Sequence, residues 1–312
     1  MKPAVYATRA LPGGVPPAVL DRVVLRGGGR VASREEAIRD AGDASILAVT
    51  YLDRVDDVLL AALPAVRHVC SYGVGVNHLD LEACRRRGVV VTNTPDVVTD
   101  ATADLAMALL LAAARRVCEG DRLIRAGGWR EAAPEFLLGR EVTGKVLGIV
   151  GFGRIGQAVA RRALGFRMQV LYAGPRTVAV DGAERVELDD LLARCDFVSL
   201  HCPLTDSTRD LISRERIERM KPGAVLVNTS RGPVVDEEAV ADALERGRLF
   251  AAGLDVFRAE PAVPDRLRRL ENVVLTPHVG SGTLETRTAM ARMVWEEVLR
   301  AAEGRPPLHR VP

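Results

Sequence analysis

At 312 residues the chain has room for about two domains of roughly 150 residues, each able to bury its own core. Aromatic residues make up 4% and basic residues nearly balance acidic ones, 43 against 41 for a net charge of +2, which argues against a nucleic-acid surface. The longest apolar run, Leu105 to Ala114, is too short to cross a bilayer, and five scattered cysteines without a Cys-x-x-Cys pair argue against a disulfide framework or a zinc knuckle.

The N-terminal "MKPAVYATRALPGG" lacks a charged region followed by an apolar core and a small-residue cleavage site, so the expected location is the cytoplasm. From there, short apolar runs alternate with helical patterns, the signature of βαβ units and parallel sheets. Strands are expected at "AVYAT", "ASILAVTYL", "RHVCSYG" and "GVVVTN", with helices at "SREEAIRDAG", "DDVLLAAL" and "DLEACRRRG". This first series ends near Asn93. After the turn at Thr94–Pro95, Thr99 or Asp100 can cap a long helix through "ATADLAMALLLAAARR".

A second series opens with "KVLGIVGFGRIGQAVARRALGF". Lys145 to Val150 reads as a strand, Gly151, Gly153 and Gly156 fill Gly-x-Gly-x-x-Gly, and Ile155 to Leu164 reads as a helix. The first glycine permits a tight turn, the second lets backbone approach a pyrophosphate, and the third lets helix and strand pack closely. The phosphates then meet amide N–H groups and the positive end of a helix dipole.

The next strand, "MQVLY", leads into "AGPRTVAV". A site for NAD usually carries an Asp or Glu here, accepting from the adenosine ribose hydroxyls, whereas a site for NADP omits the acid and offers arginine. Gly174 stands at that distance, 23 residues after Gly151, and the first carboxylate after Gln169 is Asp181. Without an acid to repel a 2′-phosphate, Arg176 is placed to pair with it. Arginine fills 40 positions of this chain, so the missing acid weighs more than the arginine. The expectation is NADP(H), with NAD(H) possible.

The remaining segments, "CDFVSLHCPLTDSTRDLI", "PGAVLVNTSRGPVVDEEAV", "AAGLDVFRAEP" and "ENVVLTPHVGSGTLETR", complete a resemblance that spans essentially the whole chain. The chain resembles the D-isomer-specific 2-hydroxyacid dehydrogenases, and "MKPAVYATRALP" with "VTNTPDVVTDATADLAMALLLAAARR" resembles their glyoxylate/hydroxypyruvate reductase branch. The resemblance implies a catalytic triad of Arg231, Glu260 and His278. Each suits reduction of a 2-keto acid, which adds a hydride to the carbonyl carbon and a proton to its oxygen. Histidine titrates near neutrality and can donate that proton, and a carboxylate on its other nitrogen orients the ring and favours the imidazolium. The arginine fork grips the substrate carboxylate and polarises the carbonyl.

The resemblance also implies cofactor contacts from Arg154, Ile155, Cys202, Pro203, Thr229, Asp255 and Gly280, with Asp255 facing the nicotinamide amide. Substrate contacts are implied for the amides of Val74 and Gly75 and for a wall formed by Thr50, Tyr51 and Leu52. The histidines outside the triad show no metal-ligand spacing, so no metal is expected. The expected architecture is α/β, two Rossmann-like doubly wound parallel sheets flanking a cleft. Residues 1–98 with 284–312 would form a flavodoxin-like substrate-binding domain, and 99–283 the NAD(P)-binding domain. The family further implies a homodimer built by the helix through Leu105 to Leu111 and an arm near Trp129. Competing readings are a D-3-phosphoglycerate dehydrogenase or another D-2-hydroxyacid dehydrogenase, and a nucleotide-sensing, corepressor-like binding module on the same fold.

Overall fold

The computed structural model describes residues 2–29, 33–178 and 180–312. The chain divides into two compact units, 1–98 with 281–312 and 99–280.

In the first unit, the strands β1 (Ala4–Ala7), β2 (Val24–Gly27), β3 (Ile46–Thr50), β4 (His68–Tyr72) and β5 (Val90–Thr92) form a parallel sheet in the order β2-β1-β3-β4-β5. Because βαβ crossovers cover both faces, β1 and β3 are buried at every residue and read as unbroken apolar runs. The edge strand β2 was not among the expected strands: "VLRG" is largely exposed and carries Arg26 and a glycine, so nothing in its pattern announces it. Each of the expected helices begins behind a polar cap. Ser33 and Glu36 form a reciprocal capping box, Asp56 accepts from the Leu59 amide at 3.0 Å, and Asp80 accepts from the Ala83 amide at 2.8 Å. The last helix, Leu284–Ala302, is capped by Thr283 and packs on β4 and β3.

In the second unit, β6 (Val146–Val150), β7 (Gln169–Ala173), β8 (Ala183–Arg185), β9 (Phe197–Leu200), β10 (Ala224–Asn228), β11 (Leu249–Leu254) and β12 (Val273–Leu275) form a parallel sheet. Its order is β12-β11-β10-β9-β6-β7-β8. The winding reverses between β6 and β9, and in open α/β sheets ligands bind outside the carboxyl ends of the strands at such a reversal. The helix Thr99–Ala114 lies within this unit, against β11, β10 and the helix Arg154–Gly165. Gly253 lets it approach closely, since a Cβ there would stand 2.8 Å from the Leu109 side chain.

Candidate active site

The three glycines after β6 each do a different job. Gly151 takes a left-handed φ of +92°, and a Cβ on it would stand 2.4 Å from the Cys202 amide nitrogen at the end of β9. A Cβ on Gly156 would meet the Gly151 carbonyl oxygen at 2.3 Å, so only glycine lets the helix sit on the turn. A Cβ on Gly153 would meet nothing within 4 Å. That open face, at the N-cap of a 12-residue helix with no side chain bonded to its first amides, fits a pyrophosphate. Arg154 and Ile155 open that helix.

On the facing strands, Cys202 and Pro203 follow β9, and burial pushes the Cys202 thiol up to about 11, which leaves it a neutral wall. His201, one of the histidines without metal-ligand spacing, has a ring that spans two strand ends. Its Nε2 pairs with Ser199 Oγ at 2.8 Å and its Nδ1 with Thr229 Oγ1 at 3.4 Å. Burial depresses this imidazole to about 3, so it stays neutral and works as a crosslink that fixes Thr229.

At the end of β7, the Phe152 and Tyr172 rings stack with centroids 3.8 Å apart. The Tyr172 hydroxyl accepts from the Val178 amide and donates to the Val178 carbonyl, both at 3.0 Å, tethering the loop that carries Arg176. Arg176 itself is exposed. A Cβ on Gly174 would have only the Phe152 amide nitrogen nearby, at 3.6 Å, so a side chain there is sterically allowed although none is present. Sequence reading missed Arg185, whose Nε and Nη2 donate to the Gly174 carbonyl at 3.3 and 3.2 Å.

Arg231, Glu260 and His278 come from three different loops at the carboxyl ends of β10, β11 and β12. Asn228 shapes the first loop: its Oδ1 accepts from the amide and hydroxyl of Ser230 at 3.0 and 2.8 Å, and its Nδ2 donates to the Arg231 carbonyl at 3.0 Å. Gly232 then passes so close to the second loop that a Cβ would stand 1.9 Å from the Phe257 carbonyl carbon. In that second loop Glu260 Oε1 accepts from the Phe257 amide at 2.9 Å, and its Oε2 lies 2.7 Å from His278 Nδ1.

His278 adopts a left-handed φ of 53°. Its amide donates to the Asp255 carbonyl at 2.8 Å. The buried Asp255 carboxylate holds both flanks, accepting from Thr276 Oγ1 at 2.6 Å and from the Val279 and Gly280 amides at 2.8 Å each. Asp255 was expected to face the nicotinamide amide; its two oxygens accept from three donors of the loop after β12. Burial raises its carboxyl above the usual range despite them.

The charges around the pair are mutually dependent. Burial alone would raise the Glu260 carboxyl, but the hydrogen bond with His278, the Phe257 amide and the charges of His278 and Arg231 outweigh it and hold it low. Burial acts against the Arg231 charge, and the nearby Glu260 charge opposes that effect. An imidazole fixed by a carboxylate, next to a guanidinium on a rigid loop, can deliver a proton and bind an anionic substrate.

The other expected residues lie in the first unit. Thr50 ends β3, and its amide and hydroxyl both donate to Asp53 Oδ2 at 2.8 Å, closing a turn that carries the half-buried Tyr51 and the exposed Leu52 at the strand end. Arg9, which sequence did not single out, donates to Thr50 Oγ1 at 3.2 Å and to Asp53 at 3.4 Å. Gly73, Val74 and Gly75 follow β4, where the Val74 carbonyl accepts from Asn93 Nδ2 at 2.8 Å. Among the described residues no group of three or more His, Cys, Asp or Glu side chains could hold a metal ion, and no helix is long and apolar enough to cross a membrane.

Residues 107–280 match the family model for the D-isomer specific 2-hydroxyacid dehydrogenase NAD binding domain, ending where the second unit ends. A glyoxylate reductase of Pyrococcus furiosus is 44% identical over 319 residues, covering 98% of this chain and 94% of its own length. A solved Thermus thermophilus protein is 45% identical with a TM-score of 0.92, over 99% of this chain and all of that one. An NADPH-dependent glyoxylate/hydroxypyruvate reductase of Sinorhizobium meliloti, solved with NADP and malonate, is 32% identical with a TM-score of 0.85, over 100% of this chain and 97% of that one. With a matching model over more than half its length and such relatives along almost all of it, the chain belongs to the D-isomer specific 2-hydroxyacid dehydrogenase family.

Proposed function

We propose that this protein reduces a small 2-keto acid, glyoxylate or hydroxypyruvate, to the D-2-hydroxy acid, with NADPH favoured over NADH. The observation that carries the reading is the His278 imidazole held 2.7 Å from Glu260, in the same group of strand-end loops as Arg231. When bound, the nicotinamide supplies the hydride. Arg231 binds the substrate carboxylate and draws electron density toward the carbonyl oxygen. His278 gives its proton to that oxygen as the C–H bond forms, and Glu260 keeps the ring aimed and offsets the imidazolium charge. In the first unit, the Val74 and Gly75 amides and the Thr50 to Leu52 turn are the proposed substrate contacts.

NADPH is favoured because no carboxylate stands between the end of β7 and Asp181, and the Sinorhizobium meliloti relative was solved with NADP. The test is oxidation of NADPH and of NADH by the purified protein with glyoxylate, hydroxypyruvate, pyruvate and a bulkier aromatic keto acid. Fast NADPH turnover with the first two is expected; turnover only with the bulky acid would overturn the substrate assignment. Gly174→Asp, which the backbone accommodates, is expected to shift the preference toward NADH by about tenfold or more, since a carboxylate repels a 2′-phosphate and accepts from a free ribose hydroxyl. An unchanged NADPH preference in that variant would remove Gly174 from the ribose site.

We further propose a cytoplasmic homodimer. Val117, Ile124, Trp129, Phe136 and Leu138 are all exposed large hydrophobic residues within one 22-residue stretch, a density that marks a contact surface. Sedimentation should give twice the 33.6 kDa chain mass, and a particle of 33.6 kDa at micromolar concentration would refute the dimer.

A further inference from the structure

We propose that Arg185, and not Arg176, is the residue that selects a cofactor bearing a 2′-phosphate; the proposal rests on the NADPH reading above. Parallel pairing of β7 with β8 sets Tyr172 opposite Arg185, so the arginine, the last residue of β8, leaves the sheet two positions before Gly174 in the neighbouring strand. Two of its fork nitrogens, Nε and Nη2, then reach the Gly174 carbonyl. Gly174 is where dinucleotide folds meet the adenosine ribose, and with no side chain on it nothing intervenes at that corner.

The partners Arg185 has are weak ones. A carbonyl carries no net charge, and the Glu187 carboxylate, 3.9 Å away, is 84% exposed. A phosphate dianion at the same corner forms charge-assisted, two-pronged hydrogen bonds that neither partner supplies. Arg176 sits on an exposed loop and loses its full side-chain freedom on binding. Arg185 is already delivered by a strand and bonded in place, so it loses less.

The test is calorimetric titration of the full-length protein with NADP⁺, NAD⁺ and 2′,5′-ADP, the last reporting the phosphate corner without the nicotinamide. Arg185→Ala is expected to weaken NADP⁺ and 2′,5′-ADP by about 10- to 30-fold and NAD⁺ by less than about threefold. Arg185→Lys, which keeps the charge and loses the fork, should fall between, and Arg176→Ala should change all three by less than about threefold. Equal weakening of all three ligands in Arg185→Ala would mean that the residue merely holds the Gly174 corner. Loss of NADP⁺ binding in Arg176→Ala alone would transfer the role to Arg176 and leave the cofactor reading intact. Unmutated protein that binds NAD⁺ as tightly as NADP⁺ and ignores 2′,5′-ADP would overturn the cofactor reading itself.

Discussion

Replacing His278 with asparagine is expected to lower keto-acid turnover by about 10³-fold while nucleotide affinity stays within about threefold. Asparagine is the informative choice because His278 holds a φ of 53°, and asparagine enters the left-handed region more readily than most residues. The backbone bond to the Asp255 carbonyl and the Asp255 grip on Val279 and Gly280 do not involve the His278 side chain, so the loop should keep its shape. An amide can still hydrogen-bond to Glu260, but it has no proton to transfer near neutral pH. Steady-state rates and calorimetric NADP⁺ titration on the same preparation separate chemistry from binding. Turnover within about tenfold of the unmutated protein would remove His278 as proton donor, because general acid catalysis contributes about 10²- to 10⁴-fold.

The framework of this site is legible in the sequence wherever the constraint is local. Strands buried on both faces, such as β3 and β10, appear as unbroken apolar runs, and the turn after β6 appears through glycines whose spacing is set by one strand and one helix. The exposed edge strand β2 carries no such signal. What stays hidden is set by partners distant in sequence. Gly232 looks like any turn glycine until Phe257 is seen pressed against it. Arg185 looks like one arginine among 40 until the β7–β8 register brings it to Gly174. The proposed triad residues could be named from the family resemblance of their segments, but the Asp255 clamp that holds His278 in its left-handed conformation depends on the meeting of β11 and β12.

Arg231 gives the second large effect. Arg231→Lys is expected to lower kcat/KM for the keto acid by about 10²- to 10³-fold, with a raised KM and unchanged NADP⁺ affinity. The loop should survive the change, because the Asn228 bond to residue 231 goes to its carbonyl and the close approach at Gly232 is backbone against backbone. What is lost is the planar fork, which can bind a carboxylate with two nitrogens while still pointing a donor at the carbonyl oxygen. Lysine also tolerates this setting less well. Burial already acts against the charge at this position, and an ammonium gives up its proton far more readily than a guanidinium. Burial disfavours the charged amine, so the residual activity of the variant should fall more steeply as pH rises than that of the unmutated protein. A lysine variant with kcat/KM within about threefold of normal would show that a point charge suffices and that the fork geometry of Arg231 has no part in binding or polarising the substrate.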